Sequence, residues 1–250
     1  MTYPPPAASA PLELGFAALA LLVAALFVWG FARGSAAVGV APPARAAAMA
    51  AAGVALWMGA TWALAAGGAL ARFDLRPPPM ALVFASVLGG GLGLGLSPVG
   101  RRFARGLPLA ALVGAQAFRF PLELLMHRAA LEGVMPAEMS YSGLNLDILT
   151  GASALVLAPL LAWRRGPRWV VAGWNALGGA LLFVIAAVAV LSSPMVRAFG
   201  DEPGHVNTWV CYPPFVWLPA VMVMAAIFGH VVVARRLRAE RRGEVAPGRG

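Results

Sequence analysis

The chain has 250 residues, 60% of them hydrophobic and 12% charged, with a mean hydropathy of +0.78 and a net charge of +9. A soluble domain carries about 25% charged residues, so this chain lacks the polar surface of a soluble protein and reads as a polytopic membrane protein. All 19 basic residues are arginine and lie between apolar runs, which points to membrane orientation rather than nucleic acid; without lysine, Schiff-base chemistry, including lysine-linked retinal, is excluded.

Apolar runs of about 20 residues span a bilayer as helices. In chain order they cover residues 12–32, 46–70, 78–98, 107–131, 145–163, 169–191 and 210–234. The segment before the first run, MTYPPPAASAPLE, has no positive charge, and the run is longer than a signal-peptide core, so a retained helix is expected. The third run contains GGGLGLGLSP. A phosphate loop needs a preceding strand and a lysine, so Gly89 and Gly93, and Gly91 and Gly95, spaced four apart, are read as helix-packing positions.

The fourth run is unusual. At 100° per residue, Gln116, Arg119, Glu123 and His127 fall within an arc of about 80°, one polar stripe on an otherwise apolar helix. A charge at mid-bilayer costs about 2.5–3.5 kcal/mol on insertion scales. Arg119 and Glu123 are four apart, so they can pair and offset part of that cost. Pro121 between them removes a backbone donor and frees the carbonyl of Ala117. His127 belongs to the outer end of the run, as a polar contact or as a ligand, and Arg128 turns off the stripe toward the surface. The fifth run opens with SYSGLNLDILTG. Asn145 or Ser142 suits a helix cap, with Asp147 in the first turn; alternatively Asp147, Thr150 and Ala154 form a small polar face that meets the Arg119 stripe.

Both segments place their polar groups in the outer half of the membrane, so a site opening outward is expected. Glu13 could join it, and the loop SSPMVRAFGDEPGHVNTW could cover it. Asp201, Glu202 and His205 in that loop are read as solvated. The last run begins CYPPFVWLPAVMVMAAIFGH. Pro213 and Pro214 suit a helix start, Pro219 a kink, and Trp209, Tyr212 and Trp217 an interfacial belt. His230 falls near the cytoplasmic end of this run and His127 near the opposite face, which excludes one bis-histidine haem. Cys211, the single cysteine, rules out an intrachain disulfide and any cysteine-built zinc or iron–sulfur site. No cofactor and no metal site is expected.

Arginines set the orientation. One side holds Arg33 and Arg45, then Arg101, Arg102 and Arg105, then Arg164, Arg165 and Arg168, and finally Arg235, Arg236, Arg238, Arg241, Arg242 and Arg249; the other holds only Arg72, Arg76, Arg128 and Arg197. The positive-inside rule then places the N-terminus outside and the C-terminus in the cytoplasm. The expected fold is all-α, a seven-transmembrane-helix bundle in one domain over residues 1–234. Residues 235–250 form a basic cytoplasmic tail, disordered beyond its first turns.

Two stretches, QAFRFPLELLMHRAALEGVMPAEMSYSGLNLDILTGASA and YPPFVWLPAVMVMAAIFGH, resemble a family of bacterial multi-pass membrane proteins of uncharacterised activity. Its pattern is FR..VE, a G..P..M loop, G.N.DI..G, and later FPFVWLP with a distal histidine. The matching residues are Phe118, Arg119, Glu123, Gly133, Pro136, Met139, Gly143, Asn145, Asp147, Gly151, Pro214, Phe215, Trp217, Pro219 and His230; Pro121 and Leu122 depart from it. The resemblance covers the fourth, fifth and seventh runs. It implies a seven-helix protein of a bacterial inner membrane and carries no substrate with it.

Three functional readings follow. The first is transport or binding of a small polar solute, ion or proton at a site made by Gln116, Arg119, Glu123, His127, Asn145 and Asp147. The second is a noncatalytic structural or assembly subunit, with the polar pair fixing helix register. The third is an intramembrane lipid-modifying enzyme using Glu123, Asp147 and His127 as acid–base groups. No metalloprotease spacing and no activated nucleophile supports the enzyme. The partners implied are membrane lipids together with a small solute, partner subunits or further copies of the chain.

Overall fold

The computed structural model describes residues 3–163 and 166–245. The expectations resting on Arg164, Arg165 and Arg249 lie outside the described residues. Among those residues the chain is all-helical: α1 (Ala10–Ala37), α2 (Pro43–Ala66), α3 (Pro79–Leu96), α4 (Pro98–Gly106), α5 (Leu109–Gly114), α6 (Arg119–Leu131), α7 (Ile148–Ala162), α8 (Arg168–Leu191) and α9 (Met224–Arg241). Among the described residues six helical stretches are long and apolar enough to cross a membrane. The fourth of these joins α5 and α6 through a 3-10 turn over Ala115–Phe118, and the sixth joins a π-helical segment, Leu218–Val223, to α9.

Proline marks most helix starts: Pro43, Pro79 and Pro98 stand in the first turns of α2, α3 and α4, where a missing N–H costs nothing. The arginine-rich stretch after α3 is helical, an outcome signalled by Ser97, whose hydroxyl accepts from the Val99 amide and caps α4. Pro121 exerts its effect on the turn before it, which tightens to 3-10 over Ala115–Phe118. Pro219 stands in the π-helical turn. Trp57 Nε1 donates to the Ala220 carbonyl there at 2.8 Å, and Trp217 Nε1 donates to the Met58 carbonyl at 3.2 Å. These two bonds tie the otherwise exposed α2 to the bundle.

The seventh run begins later than its hydropathy suggests. Residues Trp209–Cys211 form a 3-10 turn, Tyr212–Phe215 carry the chain inward, and the long helix occupies 218–241. The arginine-rich end therefore continues as helix to Arg241. Arg236 pairs with Glu240 at 2.8 Å, and Arg235 Nη1 donates to the carbonyls of Gly95 and Ser97, closing the C-terminal end of α3.

The long helix formed by Leu218–Arg241 is the hub, with α3, α4, α5 and α8 packed around it; α1 packs on α2, α4 and α6, and α7 on α5, α6 and α8. Two apolar cores result. One gathers Leu12, Phe16, Leu122, Trp209, Phe215 and Met222, and the other Phe31, Phe103, Val113, Ala154, Trp174 and Phe228. Gly91 and Gly95 let α3 approach Ile227 and Val231, whereas Gly89 and Gly93 face open space; only one of the two glycine pairs serves packing within the chain.

At the end carrying the N-terminus, Glu132 accepts from both the Ser9 amide and the Ser9 hydroxyl, at 2.9 and 2.8 Å. These bonds, with Arg128 beside them, hold its carboxyl below the ordinary range. Asp74 is held down to about 2 by its hydrogen bond from Arg72. Both side chains stand outside the spans; the Arg72–Asp74 pair is exposed, whereas Glu132 is largely covered and ties the N-terminal segment to the end of α6.

Candidate functional site

α7 has 15 residues, about 22 Å at 1.5 Å per residue, short of the roughly 30 Å of a bilayer core. The shortfall has a local cause. The segment before it, residues 132–147, folds into the bundle instead of crossing its surface, burying Met135, Met139, Ser140 and Asn145. Non-helical backbone at such depth is tolerated where protein surrounds it and its polar groups are satisfied. Asn145 does much of this. Its Nδ2 donates to the Met139 carbonyl at 3.1 Å and to Glu123 Oε2 at 2.7 Å, while its Oδ1 accepts from the Asp147 amide at 3.0 Å. The Asp147 side chain is thereby free of capping and turns to Arg119.

Arg119 lies near the midpoint of its span and is 1% exposed. Its Nε donates to Asp147 Oδ2 at 2.7 Å and its Nη2 to Asp147 Oδ1, a two-point carboxylate clamp. Thr150 Oγ1 also donates to Asp147 Oδ1, at 3.2 Å, and Arg119 Nη2 reaches the Gly178 carbonyl at 3.4 Å. Nη1 meets His230 Nε2 at 2.6 Å. A guanidinium can only donate, so Nε2 is the acceptor and the ring proton sits on Nδ1, donating to Asn175 Oδ1 at 3.0 Å. Asn175 Nδ2 in turn donates to the His230 carbonyl at 3.2 Å. One connected network therefore joins α6, α7, α8 and α9, at the level where one apolar core gives way to the other.

Glycines allow the approach. A Cβ on Gly151 would run into the backbone of Arg119 and Phe120, and one on Gly178 would stand 2.7 Å from both His230 Cε1 and Thr150 Cγ2. The close passage of α7 over α6 at Gly151 brings Asp147 within reach of Arg119.

Sequence expectations and geometry differ in five respects. Arg119 pairs with Asp147, not with Glu123, because the i+4 carboxyl is taken by Asn145 while Asp147 presents both oxygens to the guanidinium. His230 is a mid-span residue of the network, not one near the helix end, because its helix runs over 218–241. His127 is apart from the network: its Nδ1 bonds Ser140 Oγ at 2.9 Å and its ring stacks on Tyr141 at 4.4 Å. Gln116 is buried against Gly229 with its Oε1 lacking a partner, and forms no bond to the Arg119 network among the described residues. Glu13 is exposed on α1 and does not join. Asn175, Gly178 and His230 were not singled out as site residues; for Asn175 and His230 the signal was present, since a polar side chain inside an apolar span is expensive and needs a partner.

A cavity of about 400 Å³ reaches this network. Its floor carries Arg119, Glu123 and Asp147; α3 contributes Phe84, Ala85 and Leu88, α8 contributes Leu182, Ile185 and Ala186, and the hub helix contributes Leu218, Met222 and Ala226. Ala81, Ala85, Val190 and Met195, which also line it, are exposed, so the mouth lies between α3 and α8. Ser193, Met195, Val196 and Asn207 bring the loop after α8 over the top. Glu123 is 2% exposed; its Oε2 is held by Asn145, whereas its Oε1 has no donor among the described residues.

Comparison with protein-family models, with curated proteins and with solved structures finds no match.

Proposed function

We propose that the chain is a seven-helix protein of a bacterial inner membrane, N-terminus outside, that binds a small molecule with an apolar body in the cavity between α3 and α8. The observation that carries this reading is the composition of the cavity: apolar walls meet one polar floor, where a buried carboxyl keeps an oxygen without a partner among the described residues. Ligand sites have this form, mostly apolar with a few placed polar groups. A freely hydrated polar solute suits such walls poorly. The seven-crossing count takes α7 as the short crossing, completed by the buried segment before it, and the orientation rests on the arginine bias. Alkaline phosphatase fused within residues 72–76 or 197–205 should be active, and fused after Arg241 inactive; the reverse pattern contradicts the orientation.

The binding reading is tested by a density map of protein purified from its own membrane. Density for one bound molecule between α3 and α8 is expected, lost in Ala186→Trp, which fills the wall without touching the Arg119 network. A second reading, a noncatalytic structural or assembly subunit, is supported by the bonds that tie Arg119 to Asp147, His230 and Gly178 on three other elements. It predicts that Ala186→Trp leaves every property of the protein unchanged and that the cavity holds nothing beyond bulk lipid.

A further inference from the structure

We propose that the cavity seats a single-chain amphiphile whose head donates a hydrogen bond, as an alcohol or an ammonium, to Glu123 Oε1. This rests on the ligand-binding reading above and adds the chemical class of the ligand. Three observations lead to it.

Charge comes first. Among the described residues Arg119 is the only cationic side chain lining the cavity, and two carboxyls, Glu123 and Asp147, line it too. The guanidinium is already engaged by both oxygens of Asp147 and by His230. A carboxylate or phosphate head would meet a cation already bonded to Asp147 and His230 and, where Glu123 is ionised, a like charge at close range in a low dielectric. A donor head meets Glu123 Oε1, which lacks a donor among the described residues and lies beside the network; Asn207 Oδ1, at the opposite, loop-covered end, is also without a partner there.

Size comes next. About 400 Å³ lies at the low end of the range for drug-sized ligands, which is room for one chain and not for a two-chain phospholipid. The route of access is the third. The exposed rim residues Ala81 and Ala85 on α3 and Val190 at the end of α8 open the cavity sideways toward the bilayer. An amphiphile reaches the floor head first from the lipid phase, without crossing water.

Three photoreactive probes test the class in phosphatidylcholine nanodiscs at neutral pH. They share one diazirine-bearing dodecyl chain and differ in the head: alcohol, amine or carboxylate. Labelling at Ala85 and Ala186 is mapped by mass spectrometry. We expect the alcohol or the amine to exceed the carboxylate by about tenfold or more, the factor one hydrogen bond to a charged group supplies. Glu123→Leu should bring the favoured probe down to the carboxylate level. Glu123→Gln spends its one oxygen on Asn145 Nδ2 and turns its NH2 to the head; preference retained for the alcohol, which can also accept, identifies a neutral head, and loss of a preference for the amine, which as an ammonium can only donate, identifies a cationic one. Both outcomes support the proposal. Equal or stronger labelling by the carboxylate probe, or a preference that survives Glu123→Leu, overturns it and leaves the binding reading standing. If no probe labels the cavity above a lipid-facing position such as Leu56, the binding reading itself fails.

Discussion

Replacing Asp147 with alanine is expected to lower the stability of the protein by about 3–5 kcal/mol, the cost of leaving a buried charge without its partner. Arg119 is 1% exposed and draws two of its bonds from Asp147. His230 is neutral in the tautomer the network imposes and cannot replace a carboxylate. Asp147→Asn, which keeps an acceptor but removes the charge, should fall between the parent and the alanine variant. The double replacement Arg119→Met with Asp147→Leu should recover most of the loss, because removing both charges also removes the desolvation that the pair had to offset. Denaturant-titrated unfolding in lipid nanodiscs, followed by tryptophan fluorescence, reads all four proteins. A single alanine variant within about 1 kcal/mol of the parent, the size of an exposed ion pair, would mean that Asp147 does not carry the Arg119 charge. The double variant also informs function: if the polar cluster only locks helices together, it should bind any cavity ligand as the parent does.

The second large effect concerns a residue with no side chain. Gly151→Leu should cost about 3 kcal/mol or more, at or beyond the upper end of what overpacking a well-fitted contact costs. What a Cβ meets there is the backbone of Arg119 and Phe120, which has no rotamer to change. Only a displacement of α7 from α6 relieves the clash, and that displacement also draws Asp147 away from Arg119. Gly151→Ala should show the same direction with a smaller loss. Gly89→Ala is the matched control: nothing lies within 4 Å of the added methyl, so only the helix propensity changes, a gain of about 0.5–1 kcal/mol. Loss of the same size at both positions would show that the close passage of α7 over α6 is not what holds the helices together.

The membrane class and the approximate spans were legible from the chain because hydropathy over a helix length is a local property, readable without knowing any neighbour. The polar stripe was legible for the same reason: Arg119 and Glu123 stand out against apolar surroundings whatever they contact. Helix ends were less so. Hydropathy does not distinguish a membrane helix from an apolar lead-in such as Trp209–Phe215, and the resulting shift of the last helix moved His230 from an expected end to the middle of the bundle.

Sequence alone therefore determined that this protein belongs in a bilayer and that one of its helices carries charges needing partners. Only the tertiary structure decided who those partners are. Helical spacing offered Glu123 and the start of the next run offered Asp147, and spacing could not choose between them, because it measures proximity along one helix, whereas the energy of a buried charge depends on every element around it. The inward fold of residues 132–147, the bare backbone of Gly151 and the late start of the last helix brought Asp147 and His230 to Arg119 and left Glu123 facing the cavity. Each of these is a relation between segments distant in the chain, and in a low dielectric such relations outweigh local spacing.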